Sequence, residues 1–273
     1  MKKIFYGLFL IYFGSINPLF AFDHQHMLWN DLLQSFVITM PDGHSNMVDY
    51  QKFKKQEKKL DLYLSGLNTI STTDFNKWEK SKRLAFLMNA YNAFTVKLIL
   101  LEYPKLESIK DMSSFFTSPW ERKLFDLFGR KIYLDEIEHE MIRKNDNYEE
   151  PYIHFALVCA AWSCPPIRKE AYVYERLNQQ LEENLIQFLS DKKRNYYNAK
   201  EQTLYISKIF DWYQVDFEKG YKGIHSLKEF FASWAHLFTE SKQDQRFIQS
   251  QKADIGYIDY NWKLNDYNRV MKN

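Results

Sequence analysis

The chain has 273 residues, of which 37 are lysine or arginine and 35 are aspartate or glutamate. This near-balance of charge lacks the basic footprint of a nucleic-acid-binding protein, so we expect no nucleic-acid partner. The length suits one large domain with a substantial core. The aromatic content of 18% favours a core rich in rings over a ring-lined groove for sugar or peptide.

The first residues have the order of a secretory signal peptide. Two lysines follow the initial methionine, an apolar stretch comes next, and Ala21 precedes the expected cleavage site. The apolar stretch is shorter than the roughly 20 residues that cross a bilayer. No cysteine precedes Cys159, which argues against lipoprotein processing. The sequence therefore predicts a signal peptide at 1–21 and a single released domain at 22–273, periplasmic or secreted, with no stable membrane span.

Apolar spacing predicts helices in the first hundred residues. A short helix is expected near residues 28–36, and a second amphipathic segment near residues 60–67. The best-defined helix runs from about Ser81 to Leu101, with a serine cap at its start. Its apolar residues face almost every direction, which is typical of a helix buried within a domain. Asn89 and Asn92 share one face of it, and buried amides need hydrogen-bond partners.

Short strands and helices alternate in the rest of the chain. Residues 124–127 and 132–134 flank a Phe-Gly-Arg turn and predict a hairpin. Asp135 begins a helix, and Glu138 has the spacing of a capping box. Residues 152–160 form an apolar run of strand length.

The last third of the chain continues the same alternation. An amphipathic helix is expected at residues 177–188, a short strand at 204–206 and a last strand at 255–260. The whole pattern predicts one helix-rich α+β domain with a central buried helix and a small antiparallel or mixed sheet.

Several stretches in this order resemble the DUF547 family. They are Val48–Tyr50, Leu84–Leu100, Ser118–Trp120, Leu134–Arg143, His154–Pro166, Ile206–Tyr213, Asp216–Phe217 and Asp259–Asn265. Ala161 and Asn261 depart from the serine and the aspartate expected there, so neither carries a predicted role. The resemblance implies a shared fold, and it supplies no established reaction.

Cys159 ends the predicted strand and enters a turn, a position from which a rigid backbone can present a reactive side chain. A thiolate there would attack an acyl carbon if a base or cation lowered its pKa. Two other interpretations remain open. Cys159 is a small buried apolar residue, or it pairs with Cys164 in a structural or redox bridge. Because Pro165 favours an extended backbone at Cys164, we expect two free thiols.

Two histidines are candidate partners of the thiol. His139, on the predicted helix, is the preferred general base, although it also suits packing over Leu134 at the helix start. His154 is nearer in sequence, but strand alternation puts it on the opposite face from Cys159 unless a bulge reverses the parity. Its other interpretation is a hydrogen-bonded sheet residue.

Asn89 and Asn92 complete the set of candidate site residues. They suit orienting a histidine or donating to an oxyanion, and they equally suit binding buried loop carbonyls. We expect both to be buried, with their amides bonded to backbone near residues 118–120 or 159–166.

No cofactor is indicated. The cysteines and histidines lack a familiar zinc spacing, and no glycine-rich phosphate loop or dinucleotide fingerprint occurs. Asp211 and Asp216 point roughly 140° apart on a helix, so we predict solvated or capping groups rather than an acid and base pair.

The leading hypothesis is an exported cysteine-dependent hydrolase or acyltransferase, with Cys159 as nucleophile and His139 as base. The alternative is a noncatalytic periplasmic binding domain for a peptide, a glycan or a partner protein, in which the turn from Cys159 to Cys164 is structural.

Overall fold

The computed structural model describes residues 22–113, 117–144 and 148–271, so the predicted signal peptide lies outside the described part. The α-helices are α1 Met27–Phe36, α2 Tyr50–Lys55, α3 Glu57–Asn68, α4 Thr72–Lys77, α5 Lys80–Glu102, α6 Leu177–Ser190, α7 Ile209–Trp212, α8 Gln214–Phe217, α9 Leu227–Ser233, α10 Lys242–Gln249 and α11 Tyr267–Val270. The strands are β1 Val37–Thr39, β2 Asn46–Val48, β3 Phe125–Leu127, β4 Arg130–Ile132, β5 Tyr196–Asn198, β6 Thr203–Ser207 and β7 Asp254–Ile258. A π-helix spans Glu136–Arg143. The 3₁₀ helices are Ile109–Met112, Pro119–Glu121, Pro151–Phe155, Tyr174–Arg176, Tyr221–Gly223 and Ala235–Leu237.

Helix α5 forms the centre of the core, which confirms the predicted central buried helix. Between residues 84 and 100 every side chain except Lys97 is buried, and Lys97 forms ion pairs with two carboxylates of α3. By length and composition alone α5 could cross a membrane, but most of it is enclosed by the protein. The start of the helix differs from the prediction, because Glu79 precedes it and Ser81 lies inside its first turn.

The aromatic residues mainly build this core, as the composition suggests. Phe210 packs edge-on to Phe231 with ring centroids 4.9 Å apart, and it lies 5.0 Å from Phe217. Near the N-terminus of the described chain, Phe22 stacks on Trp78 at 5.8 Å. Contacts of this kind add to the free energy of burying the rings.

Small sheets cover parts of this core. Strand β6 pairs antiparallel with β5 and parallel with β7, so the three-stranded sheet is mixed, as predicted. Strands β1 and β2 form an antiparallel pair. The predicted hairpin is confirmed as β3 and β4. Its two turn residues, Phe128 and Gly129, both have positive φ of 55° and 73°, which matches the right-handed twist of the strands.

The predicted strand at 152–160 is wrong, since this segment is a 3₁₀ helix followed by a loop. Side-chain amides satisfy its backbone in place of a neighbouring strand. Asn92 donates to the Ala156 carbonyl at 2.9 Å and accepts from the Val158 amide at 3.0 Å. Asn184 of α6 donates to the Phe155 carbonyl at 3.2 Å. These bonds meet the need of buried peptide groups for partners without a ladder.

Asn89 makes a similar pair of bonds elsewhere. It donates to the Tyr172 carbonyl at 2.8 Å and accepts from the Tyr172 amide at 3.0 Å. The expectation that both asparagines are buried and bind backbone is confirmed. The expected segments are wrong, because their partners lie at Tyr172 and at residues 156–158.

Replacing either asparagine by alanine leaves two buried backbone groups without hydrogen-bond partners. We therefore expect a loss of about 1–3 kcal/mol in the free energy of unfolding. Urea melts of Asn89→Ala and Asn92→Ala measure it. Asn76→Ala, at an exposed position of α4, is the control and should melt like the wild type. Wild-type melts for both core variants would contradict the role given to these amides.

Candidate functional site

The C-terminal segment lies antiparallel to the loop that carries the two cysteines. The Trp162 amide donates to the Lys263 carbonyl at 2.7 Å, and the Asn265 amide donates to the Ala160 carbonyl at 2.9 Å. This pairing brings Tyr260 to the cysteines. Ala160, directly after Cys159, has a φ of 61°, which is unusual for a residue with a side chain and is a kind of strain found at functional sites.

Cys159 is half-buried and Cys164 is buried, and no disulfide joins them. The hydroxyl of Tyr260 lies 3.2 Å from the Cys159 sulfur. Hydrogen bonds from Cys164, Tyr260 and the Ala161 amide lower the pKa of the Cys159 thiol, although burial opposes them. Burial raises the pKa of Cys164, and its hydrogen bond to Cys159 adds to the effect. Cys159 is therefore the sulfur better suited to be a thiolate, and the Cys164 thiol is suited to donate a hydrogen bond to it.

Cys159 opens into a cavity of about 220 Å³ that we call the thiol cavity. Besides Cys159, its wall includes the titratable side chains of His154, Glu138 and Asp135. The aromatic side chains of its wall are Tyr91, Trp120, Trp212, Tyr213, Tyr260 and Trp262. A larger cavity of about 410 Å³, at Glu150, is lined by no cysteine or histidine among the described residues, so the reactive groups concentrate in the smaller one.

His154 is oriented by a carboxylate. Its Nε2 lies 2.8 Å from Asp216 Oδ2, which also accepts from Arg143 Nε at 2.6 Å. Burial alone would raise the pKa of Asp216, but these two hydrogen bonds outweigh it and hold the pKa well below its usual value. An ionised carboxylate only accepts hydrogen bonds, so Nε2 of His154 carries the proton and Nδ1 is the unprotonated nitrogen of the neutral ring. Burial lowers the pKa of His154, which favours the neutral ring that a general base needs.

Strand alternation would put His154 and Cys159 on opposite faces, but this segment is not a strand, so that objection to His154 does not apply. A 3₁₀ helix and a loop place His154 and Cys159 on the wall of the same cavity. Asp216, predicted to be a solvated or capping group, is instead the partner of His154, whereas Asp211 pairs with Lys208 near the surface.

His139, the preferred base in the sequence analysis, is held away from the thiol. Its Nδ1 lies 2.6 Å from Arg143 Nη1, and its Nε2 lies 4.0 Å from Asp135. Asp135 lines the thiol cavity, but His139 is not among the lining residues. His139 therefore lies beside Asp135, a residue of the cavity wall, and does not itself line the cavity. Among the described residues, the side chain from a distant part of the sequence that forms a hydrogen bond with the Cys159 sulfur is Tyr260 and not a histidine.

Glu138 is the residue whose placement the sequence analysis missed. The predicted capping box does not form, since Asp135 makes no side-chain cap and the helix is a π-helix. Glu138 is only 5% exposed, lines the thiol cavity and forms a hydrogen bond with Tyr213. π-helical turns are frequent at functional sites, but apolar spacing carries no sign of one.

The asparagines act behind the site. Asn92 fixes the loop just before Cys159, and neither Asn89 nor Asn92 lines the thiol cavity. The structure therefore gives them a positioning role and places neither at an oxyanion. Within the described ranges no cluster of three histidine, cysteine, aspartate or glutamate side chains is arranged to hold a metal ion.

Part of the chain is similar to a known protein family. Residues 75–189 match the family model described as "Protein of unknown function, DUF547". Over this region the chain is similar to the family, and the matched region includes α5, the π-helix and both cysteines. Comparison with curated proteins and with solved structures gives no match.

The environment of the two sulfurs predicts a difference in reactivity. Cys159 should react with iodoacetamide at neutral pH much faster than Cys164, because the thiolate is the reactive form and Cys164 is buried. Tyr260→Phe removes one donor to the Cys159 sulfur and should raise its pKa, which slows alkylation at neutral pH and moves the midpoint of the rate upward in pH. Mass spectrometry of protein alkylated without reductant follows both sites.

Tyr205→Phe on strand β6 is the matched control and should leave both rates unchanged. Faster labelling of Cys164, or a Tyr260→Phe profile identical to wild type, would contradict the assignment. A complete bridge between the two cysteines in the purified protein would do so as well.

Proposed function

We propose that this domain is a cysteine-dependent acyl-transfer enzyme, a hydrolase or an acyltransferase, with Cys159 as its nucleophile. The observation that carries the proposal is the shared wall of the thiol cavity. A cysteine with a lowered pKa and a histidine oriented by a carboxylate face the same space. A nucleophile, a base and a group that orients the base are the parts that covalent acyl transfer requires.

The geometry favours His154 as the base in place of His139. In the proposed reaction the thiol proton of Cys159 passes to Nδ1 of His154, and the sulfur attacks the acyl carbon. The imidazolium, paired with Asp216, then gives its proton to the departing group and leaves a thioester on Cys159. An acceptor loses a proton to His154, attacks the thioester and releases the thiol.

A noncatalytic binding domain remains the second candidate, and the aromatic wall favours it. Trp212 is 47% exposed, and its ring stacks on Trp262 with centroids 5.7 Å apart. Tyr260 lies against both rings at 4.8 and 4.5 Å. An exposed ring on the wall of a cavity suits a sugar face or an aromatic side chain of a peptide. In this case ligand binding would persist after loss of the thiol.

Acyl-enzyme formation tests the catalytic proposal. Brief treatment with p-nitrophenyl acetate should add one acetyl group to Cys159, detected by intact-mass and peptide mass spectrometry. Cys159→Ser should give no thioester, and His154→Gln should slow acylation by about 10²-fold or more, the lower end of what a positioned base contributes. His236→Gln, at an exposed histidine, is the control.

An acetyl group that appears equally on surface lysines and not on Cys159 would overturn the catalytic proposal. Acylation unchanged in His154→Gln would leave Cys159 as a nucleophile but remove His154 from the mechanism.

We also propose that the domain is exported, on the sequence of the first 21 residues alone. Expression in a bacterial host with two membranes should yield a periplasmic or secreted protein whose N-terminus is Phe22, read by N-terminal sequencing. A cytosolic protein that retains residues 1–21 would contradict the proposal.

A further inference from the structure

Two carboxyl groups form part of the wall of the thiol cavity. Asp135 and Glu138 both line it, whereas no lysine or arginine does so in the described part of the chain. Burial lowers the pKa of His154, which favours its neutral form. Carboxylates removed from water are costly unless a positive group or hydrogen bonds compensate them. Tyr213 supplies one hydrogen bond to Glu138, and a cation on the ligand would supply the missing charge.

The aromatic wall points to the same kind of ligand. Trp120, Trp212 and Trp262 line the cavity, and indole is the ring that attracts cations most strongly. The protein already shows this attraction, since Lys110 Nζ lies 3.7 Å from the centroid of Trp262 without lining the cavity. Carboxylates and indole rings around one space form a site for an ammonium group.

The volume limits the ligand to a small group. At about 220 Å³ the cavity is smaller than the roughly 300–1,000 Å³ of sites for drug-sized molecules. It suits one extended side chain or the end of a short chain. A lysine side chain and a short diamine both place a primary ammonium at the end of an apolar stem, and the stem matches the ring-lined wall.

We propose that the thiol cavity binds a primary ammonium group, and that this amine is the acceptor in acyl transfer. The second part rests on the proposed function, and it makes the enzyme an acyltransferase that forms amides. Glu138 and the indole rings hold the ammonium beside the thioester on Cys159. One ammonium proton passes to His154, and the nitrogen lone pair attacks the thioester carbon. The carbon–sulfur bond then breaks, and the second proton lost by the nitrogen ends on the Cys159 sulfur. His154 releases the first proton to solvent and returns to its neutral form.

Binding is tested without catalysis in the Cys159→Ser protein. Titration with cadaverine, followed by tryptophan fluorescence and calorimetry, should show saturable binding, whereas pentanol and valerate, of similar length, should bind at least about tenfold more weakly. Glu138→Gln keeps a partner for Tyr213 and should weaken cadaverine binding by a similar factor. Trp212→Leu should weaken it as well. Asp126→Asn, at an exposed aspartate of the β3–β4 hairpin, should leave it unchanged.

Equal binding of pentanol or valerate, no saturable binding of cadaverine, or a wild-type affinity in Glu138→Gln would overturn the ammonium site. The acceptor role has a separate test, in which the wild-type acetyl-enzyme is mixed with cadaverine. Acetylcadaverine should form and the acetyl-enzyme should decay faster than in buffer alone.

Hydrolysis at the same rate with and without cadaverine would overturn the acceptor role and leave acyl transfer to water standing. If no acetyl-enzyme forms, the proposed function and the acceptor role fall together, and the titration of Cys159→Ser still decides the ammonium site.

Discussion

The hydrogen bonds that two asparagines make to the loop before Cys159 determine the shape of the site. Asn92 from the central helix holds Ala156 and Val158, and Asn184 from α6 holds Phe155. These amides take the place of strand partners, so the chain can leave strand geometry while its buried peptide groups stay bonded. Because the loop is not a strand, odd- and even-numbered residues such as Cys159 and His154 can line the same cavity.

Three elements distant in sequence complete the cavity around this loop. The π-helix contributes Glu138, α8 contributes Asp216 behind His154, and the C-terminal segment contributes Tyr260. Two sets of polar groups act on different residues of the site. Donors around the Cys159 sulfur favour the thiolate, and Asp216 fixes the histidine tautomer. On our proposal, a cationic amine binds in this space of rings and carboxyl groups better than a neutral or anionic group does.

Apolar periodicity predicted the longer helices α1, α3, α5 and α6, the hairpin, and a small sheet that is antiparallel or mixed, because burial of regular faces decides those elements. It failed at residues 152–160, where side-chain amides far away in the sequence replaced a β ladder. The site was predicted in part. Cys159 and His154 were named, but their shared cavity depends on that irregular backbone. The sequence carried no sign of the contacts that Asp216 and Glu138 make, because their partners come from other elements and no local pattern indicates such contacts. Both residues were therefore predicted to be capping or solvated groups. Asp216 lay within a stretch that resembled the family, and that was the available signal.

The central claim is that the groups around Cys159 lower the pKa of its thiol within this cavity. The ultraviolet absorbance of the thiolate, titrated against pH in wild type and in Cys159→Ser, measures it directly. The difference between the two should titrate with a midpoint below the value of about 8.5 for a free cysteine. A midpoint at or above that value would contradict the assignment of Cys159 as the nucleophile.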